Sequence, residues 1–366
     1  MSGNRKKIAR KVCIFLAGII LVYISIFLYE SVTYVISEKI ISRKAASRIR
    51  ISLDKPPKCP KILTDEINLN KKVIAQYPLE PAKPYLKGLG LDPFVSHVGS
   101  RREVPVIVTA ASHTHFSESL TMVNYVREVL FKEHGIMKIV YFDIGLTFLQ
   151  RMRMRSVCQC DFREFPFESF PDHVRIIYGF AWKPIAIQLA LRDYGSIMWM
   201  DSSVRFVKSL EQVFKSAYRE GIQVTPSLAP NTTASNTDLQ TFKTLKEEPC
   251  SFRNTMEIYA TWMILHSTPF IVEYVMKPWV SCALIPNCVV VDRVPWSCDT
   301  DKSTYGACHR FDQSVLSIIL NRLYFNKLNS TFYEAGVWKK CGSTNSKWYL
   351  PDIVNNYRYK KTFLCI

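Results

Sequence analysis

Asp201 directly follows an uninterrupted apolar run. A carboxylate at such a position could bind a ligand or take part in catalysis. The stretch SIMWMDSSVRF, residues 196–206, has four consecutive apolar residues before Asp201, Ser202 and Ser203. Such a run indicates a strand buried on both faces. An aspartate at its end either stabilises a turn or acts as a ligand. The residues alone leave these two interpretations equally open.

Thr109 and Asp143 occupy similar positions at the ends of two other predicted strands. Thr109 lies near the end of VPVIVTAA, and Asp143 lies in KIVYFDIGL. Helical spacing over residues 117–135 and 181–195 separates these strands, and this alternation predicts a parallel, Rossmann-type α/β sheet. Ligands of such sheets bind outside the carboxyl ends of the strands. We therefore predict that Thr109, Asp143 and Asp201 lie beside a common ligand.

A divalent cation would normally need a second carboxylate close to Asp201. An Asp-x-Asp pair can hold Mn²⁺ or Mg²⁺ against a nucleotide diphosphate. Here Ser203 stands in the place of that second carboxylate, and a neutral hydroxyl is a weaker ligand for a hard cation. Either Asp201 holds a metal with groups from elsewhere, or lysine and arginine side chains such as Lys183 and Arg205 neutralise the diphosphate.

His309 and Lys183 are the candidates that distinguish these two options. The His309 imidazole could supply a missing metal ligand, and the alternative is a structural histidine beside Cys308. Lys183 begins a predicted helix, where its charge opposes the helix dipole. Contact with a diphosphate would explain that position, and a solvated lysine is the alternative.

Two further carboxylates are candidates for direct catalysis. Asp312 precedes the helical pattern QSVLSIILNRL, so it is either an N-cap or a general base that faces the acceptor. Glu257 precedes an apolar run, where it either faces the acceptor or sugar or ends an exposed strand. The long polar stretch 225–255 could form a lid over the site.

An ordered set of segments gives the sequence a resemblance to a known family. The block FAWKPIAIQLALRDYGSIMWMDSSVRF, with VIVTAASHTHFSESL, IVYFDIGL, KPWVSCALIPNCV and YGACHRFDQSVLSIIL, resembles an animal family, expanded in nematodes, of type II membrane glycosyltransferases. The resemblance covers about residues 104–325. It implies a GT-A-like fold, a nucleotide-sugar donor and Asp201 at the donor site. The DSS sequence departs from the Asp-x-Asp of the GT-A class.

The N-terminal part of the chain has the pattern of a membrane anchor followed by a spacer. Residues 12–29 carry no charge and are long enough for a transmembrane helix. Basic residues precede this span and acidic residues follow it, which predicts a cytosolic tail over 1–11 and a lumenal remainder. Scattered prolines and lysines predict a stem over 30–104. Residues 105–366 are then the catalytic domain, in the Golgi or the endoplasmic reticulum.

Cysteines and sequons agree with a lumenal location. The chain has eleven cysteines, of which only Cys13 lies in the predicted span. Their spacings do not match common zinc patterns, so we predict that most form disulfides of unspecified connectivity. Asn231 and Asn329 lie in N-x-Ser/Thr sequons and are the predicted glycosylation sites.

Composition and net charge limit the possible classes of function and partner. A hydrophobic content of 48% supports a folded core, and the net charge of +17 favours an anionic partner. No nucleic-acid-binding motif is present, so we expect no nucleic acid partner. The leading interpretation is a glycosyltransferase that moves a sugar, expected to be UDP-linked, onto a glycan, protein or lipid acceptor. The alternatives are a non-catalytic lumenal protein that binds glycan or nucleotide and, less favoured, a sulfotransferase.

Overall fold

The computed structural model describes most of the chain between Cys59 and Lys340. The described residues are 59–60, 62–94, 102–135, 137–227, 232–291, 298, 305–306, 308–328 and 338–340. All of them belong to a single structural unit of the chain. The predicted tail (1–11), the predicted span (12–29) and the sequons at Asn231 and Asn329 lie outside these residues. Within the described residues, we find no helix with the length and apolar character that a bilayer crossing requires.

A six-stranded mixed sheet forms the centre of the unit. Its order is β3-β2-β1-β4-β7-β6; strands β3, β2, β1 and β4 run parallel, whereas β7 is antiparallel to both of its neighbours. Strands β5 and β8 pair separately as an antiparallel ribbon. The strands are β1 Val106–Ala111, β2 Ile139–Asp143, β3 Asp161–Glu164, β4 Ser196–Met200, β5 Val204–Phe206, β6 Ile222–Pro226, β7 Ile258–His266 and β8 Trp338–Lys340.

Helices cover both faces of this sheet, which confirms the predicted mixed α/β architecture. They are α1 Ile67–Ala75, α2 Lys83–Leu86, α3 Phe116–Tyr125, α4 Phe131–His134, α5 Phe148–Cys158, α6 Trp182–Tyr194, α7 Glu211–Glu220, α8 Leu239–Thr244, α9 Pro269–Ile271, α10 Lys277–Leu284 and α11 Asp312–Tyr324. A π-helical turn, Val126–Leu130, joins α3 to α4, and another, Val272–Met276, joins α9 to α10. Shorter 3₁₀ turns are Glu80–Ala82, His113–His115, Phe167–Ser169, Asp172–Arg175, Ile177–Gly179, Pro249–Phe252 and Phe325–Lys327.

The strands are buried on both faces because successive side chains point in opposite directions. In β4, Ile197 and Trp199 enter the hydrophobic cluster that contains residues of α6, α10 and α11, whereas Met198 and Met200 enter a second cluster with residues of α3 and α7. This two-sided burial explains the continuous apolar run of the sequence. Helix α6 ends at Gly195, whose φ of 69° is left-handed, as the sequence predicted.

Part of the predicted stem belongs to the folded unit. Helices α1 and α2 lie within residues 62–94, and apolar side chains of this segment, including Leu63, Ile74 and Leu86, are buried in the main core. Its attachment is also polar, because Tyr77 Oη donates a hydrogen bond to Glu247 Oε1 at 2.8 Å. The spacer predicted over 30–104 therefore does not extend through residues 62–94, and the folded unit begins well before residue 105.

A buried ion pair between Arg322 and Glu247 also contributes to the attachment of the N-terminal segment. Arg322 Nε and Nη2 donate to the two carboxylate oxygens of Glu247 at 2.9 and 2.5 Å. Both side chains are almost completely excluded from solvent. Arg322 Nη1 also donates to the carbonyl of Ile62 at 3.2 Å. The same arginine therefore binds both the core carboxylate and the N-terminal segment.

Among the described residues, four disulfides confirm the prediction that most of the cysteines pair. Three close short loops, and the fourth joins Cys59 to Cys250 across 191 residues. The three local pairs are Cys158–Cys160, Cys282–Cys288 and Cys298–Cys308. The long-range pair covalently ties the start of the N-terminal segment to the body of the unit.

Candidate active site

Asp201, Lys183 and Asp312 form a charged cluster at the carboxyl end of β4. The ammonium Nζ of Lys183 lies 3.0 Å from Asp201 Oδ1 and 3.4 Å from Asp312 Oδ2. It also donates to the carbonyl of Ala260 in β7 at 3.3 Å. We call these three charged residues the Lys183 cluster. Strand β4 and the first turns of α6 and α11 bring its members together from distant parts of the sequence.

Asp201 is the member of the Lys183 cluster that reaches solvent. Its side chain is 28% exposed, against 5% for each of the other two. Trp199 Nε1 donates to Asp201 Oδ1 at 2.9 Å, on the same oxygen that contacts Lys183. The carboxylate is therefore held through Oδ1, and no described group hydrogen-bonds Oδ2.

The turn that follows Asp201 is fixed from several sides. Asp201 N donates to Thr261 O at 2.7 Å, which continues the β4–β7 pairing by one residue. Arg205 Nη1 donates to the carbonyls of Ser202 and Val204 at 2.7 Å. The Ser202 hydroxyl donates to a carboxylate oxygen of Glu118 at 2.8 Å. These contacts orient Asp201 without help from a ligand.

Lys183 is enclosed by protein groups. Burial by itself would lower the pKa of Lys183, but Asp201 and Asp312 outweigh burial and raise the pKa, so the ammonium stays charged. The rings of Phe180 and Trp199 lie 5.4 and 5.6 Å from Nζ and add cation–π attraction. The predicted direct contact of Lys183 with a diphosphate does not fit this enclosure. Its unusual place at a helix N-terminus is explained by the two carboxylates instead.

Asp312 is also enclosed. Burial raises its pKa to about 6, with Lys183 opposing the change and Asp201 adding to it. Its Oδ2 contacts the Lys183 ammonium at 3.4 Å without hydrogen-bond geometry, and no other described group hydrogen-bonds that oxygen. A general base that faces the acceptor needs an accessible oxygen, so the predicted catalytic role does not fit. The arrangement supports a positioning role toward Lys183.

Glu257 lies in a buried polar network behind the Lys183 cluster. Asn236 Nδ2 donates to Glu257 Oε2 at 2.6 Å, and Gln313 Nε2 donates to Oε1 at 3.2 Å. Burial raises the pKa of Glu257, while the hydrogen bond from Asn236 and the charge of Arg310 lower it. With both oxygens hydrogen-bonded and the side chain buried, the predicted role of Glu257 toward the acceptor or sugar does not fit. Its position links β7 to the residue that follows Asp312.

Asp143 and Thr109 lie at the same edge of the sheet as Asp201 but differ from it in accessibility. Asp143 Oδ1 accepts hydrogen bonds from the amides of Gly145 and Leu146, and Oδ2 accepts one from Arg151 at 2.7 Å. The Asp143 carboxylate therefore organises its own loop, and the expected donor contact does not fit. Thr109 is fully buried in β1, paired with Tyr141, so its hydroxyl does not reach the surface.

His309 is not brought to Asp201. Its Nδ1 accepts a hydrogen bond from Asp238 N at 3.2 Å, and its Nε2 lies 2.8 Å from the carbonyl of Val289, which requires a proton on Nε2. Both ring nitrogens are therefore used by backbone groups. This geometry fits the structural interpretation of His309 and leaves no nitrogen for a metal.

The donor set does not fit the predicted Mn²⁺ or Mg²⁺ site. Within the part of the chain that the structure describes, no three histidine, cysteine, aspartate or glutamate side chains converge on one point. The nearest group to Asp201 with a full charge is the Lys183 ammonium, and Ser203 contributes only a mostly buried hydroxyl. Hard divalent cations prefer several oxygen ligands, preferably carboxylates. Asp201 offers a single open oxygen.

Two contacts of the Lys183 cluster were missed at the level of sequence: Trp199 with Asp201, and the Ala260 carbonyl with Lys183. Trp199 is two residues before Asp201 on a strand, and this spacing places both side chains on one face. That signal was present in the sequence. Ala260 contributes only its carbonyl, and a backbone group gives no signal in the sequence. The contact between Lys183 and Asp312 depends on the packing of α6 and α11 beside β7.

Comparison with known proteins gives a partial family match and distant structural similarity. A protein family of unknown function, DUF1647, matches residues 93–188, a segment that includes Lys183 and ends before Asp201. No curated protein matches the chain significantly.

Several solved structures resemble the fold. The mannosyltransferase Ktr4p from S. cerevisiae is 10% identical with a TM-score of 0.41, over 77% of this chain and 80% of Ktr4p. The galactosyltransferase LgtC is 14% identical with a TM-score of 0.34, over 65% of this chain and 87% of LgtC. The bifunctional glycosyltransferase WbbM is 12% identical with a TM-score of 0.36, over 64% of this chain. The match spans only 39% of WbbM.

Proposed function

We propose that this chain is a glycosyltransferase that binds a nucleotide-sugar donor at the carboxyl edge of its parallel strands. The observation that carries the proposal is the Lys183 cluster, in which Asp201 is fixed through Oδ1 and open through Oδ2. In open α/β sheets this edge is where ligands bind. The sequence resemblance to type II membrane glycosyltransferases supports the same activity.

The chemistry of Asp201 favours hydroxyl groups of the donor as its target. One ammonium and two carboxylates give the Lys183 cluster a formal charge of −1, which disfavours direct contact with phosphate oxygens. A carboxylate is an acceptor of hydrogen bonds and binds vicinal hydroxyls of a sugar or ribose. Because Trp199 and Lys183 already orient the carboxylate, little ordering remains to be done when the donor binds.

The proposed transfer moves the sugar from a UDP-linked donor to a glycan, protein or lipid acceptor. Asp201 binds the donor, and Asp312 positions Asp201 indirectly through Lys183. We extend the proposal to a single N-terminal membrane anchor with the folded unit in the lumen of the Golgi or endoplasmic reticulum. The disulfides support this compartment because they persist where the environment is oxidising.

A second candidate function is binding of a nucleotide or glycan without catalysis. One observation favours it: Asp312 and Glu257, the two carboxylates predicted as catalytic, are both enclosed and internally paired. The two candidates share the binding step at Asp201 and differ in whether a glycosyl bond is broken.

Thermal unfolding with nucleotides tests the shared binding step. The full chain would be titrated with UDP, GDP and CMP, alongside Asp201→Asn and a matched control, Asp172→Asn, at an exposed aspartate. A nucleotide at about 100 times its Kd should stabilise the protein by about 2.7 kcal/mol. We expect UDP to stabilise the wild type and the control more than Asp201→Asn. Equal stabilisation of all three proteins, or of none, would contradict a donor site at Asp201.

Release of UDP from a UDP-sugar then separates the two candidates. A glycosyltransferase releases UDP in the presence of an acceptor, and usually slowly to water in its absence. We expect release by the wild type to exceed that by Asp201→Asn. Nucleotide binding without any release, across a panel of sugars and acceptors, would favour the binding protein.

A further inference from the structure

The Lys183 ammonium occupies the position between two carboxylates that a metal ion would otherwise take. Nζ lies within 3.4 Å of an oxygen of Asp201 and of Asp312, and within 3.3 Å of the Ala260 carbonyl. Three oxygens from three different elements therefore surround one cationic centre. Oxygen ligands of this kind, two of them carboxylate, are those that hard divalent cations prefer.

The surroundings hold the ammonium in that position. Lys183 is 4% exposed, and the ring centroids of Phe180 and Trp199 lie 5.4 and 5.6 Å from its ammonium. Both carboxylates raise its pKa, so it stays charged despite its burial. A divalent ion that approached Asp201 from solvent would meet this fixed positive charge on the opposite side of the carboxylate. The repulsion between like charges is strong in such an enclosed site.

We propose that the Lys183 ammonium is the resident cation of this site, and that the protein holds no divalent metal at Asp201. This inference rests on the proposed function in assigning the site to a nucleotide-sugar donor. It changes the expected chemistry, because an ammonium fixes the Asp201 carboxylate but does not reach the diphosphate. Neutralisation of the leaving group then falls to other groups or to an ion that arrives with the nucleotide.

Direct measurement of Mn²⁺ binding tests this inference without any nucleotide. Bound Mn²⁺ loses the sharp electron paramagnetic resonance signal of the aqueous ion. Titration of the full-length wild type should leave that signal unchanged at equimolar metal. In Lys183→Ala two carboxylates face an empty cation position, so we expect one bound equivalent, with a Kd at least about 100-fold lower than that of the wild type. Adding Asp201→Asn to that variant should abolish the binding.

Two results would overturn the inference. One is a stoichiometric Mn²⁺ in the wild type that disappears in Asp201→Asn. The other is a folded Lys183→Ala protein that binds no metal, since Lys183 would then not occupy a cation position.

If Lys183→Ala does not fold, measurements on the wild type still test the inference. Its thermal unfolding should be the same in EDTA and in Mn²⁺, and a Mn²⁺ stabilisation lost in Asp201→Asn would overturn the inference. Absence of UDP stabilisation would contradict the proposed function and leave the Mn²⁺ measurement valid. UDP stabilisation that is equal in EDTA and in Mn²⁺ would support both.

Discussion

Replacement of Asp312 by asparagine should stabilise the folded protein at neutral pH. Asp312 is buried beside Lys183, and burial raises its pKa from 3.8 to about 6. Each pKa unit corresponds to about 1.4 kcal/mol, so the ionised carboxylate costs the fold about 3 kcal/mol above pH 6. Asparagine is nearly the same shape and stays neutral. Lys183 keeps Asp201 as a counter-ion in the variant.

The sign of the pH dependence follows from proton binding. Between about pH 4 and pH 6 the folded wild type binds a proton at Asp312 that the unfolded chain has released. The contribution of Asp312 is therefore fully present below pH 4 and is lost as the pH rises through 6. Asp312→Asn should match the wild type near pH 4 and exceed it at pH 7.5 by up to about 3 kcal/mol.

Thermal unfolding of the two proteins from pH 4 to pH 8 would measure this difference. We expect the gap between the melting temperatures to open across pH 4–6 and to amount to several degrees at pH 7.5. The exposed Asp172→Asn variant should show no such opening gap. A variant that is less stable than the wild type at pH 7.5 would show that the Lys183–Asp312 contact is net favourable, and would refute the reasoning.

Three other substitutions test separate parts of the structure. Trp199→Phe removes the 2.9 Å hydrogen bond to Asp201, so UDP should bind about tenfold more weakly by calorimetry, and an unchanged affinity would contradict that contact. Trp199 is also buried in the core, so the smaller ring should lower the melting temperature as well. Arg322→Met leaves the buried Glu247 carboxylate without its cationic partner, so the free energy of unfolding measured in urea should fall by about 3–5 kcal/mol. Adding Glu247→Gln to the same chain should recover part of that loss. A loss under about 1 kcal/mol would contradict a stabilising ion pair. Replacing Cys59 and Cys250 by serine should cost about 2–4 kcal/mol, and unchanged stability would show that the N-terminal segment is held by packing alone.

The parts of the fold that depend on local pattern were predictable from the sequence. Strands β1, β2 and β4 are continuous apolar runs because both faces of the sheet are covered. Gly195 ends α6 because the last turn needs a left-handed residue. The position of Asp201 at the carboxyl end of β4 follows from the same pattern, whereas its role in binding a donor is our proposal.

What the sequence did not reveal depends on contacts between distant segments. Residues 62–94 resemble a spacer because their apolar residues are scattered, yet several insert singly into the core. The polar stretch 225–255 was interpreted as a lid, but residues 233–238 within it are buried, and Asn236 O accepts a hydrogen bond from the Ser314 hydroxyl. Asp312 and Lys183 come into contact only because distant segments of the chain pack together in the folded protein. Neither periodicity nor residue type reports such pairings.

If the chain carries the proposed N-terminal anchor, the bond between Cys59 and Cys250 determines how a protease could release the folded unit from the membrane. A protease that cut the chain before Cys59 would release the entire folded unit. A cut between α2 and β1 would not separate the two pieces, because the N-terminal piece would stay joined through the disulfide. Release after such a cut would require a reductant as well as the protease. The same nick would therefore give one band or two on a gel, depending only on whether thiol was added to the sample.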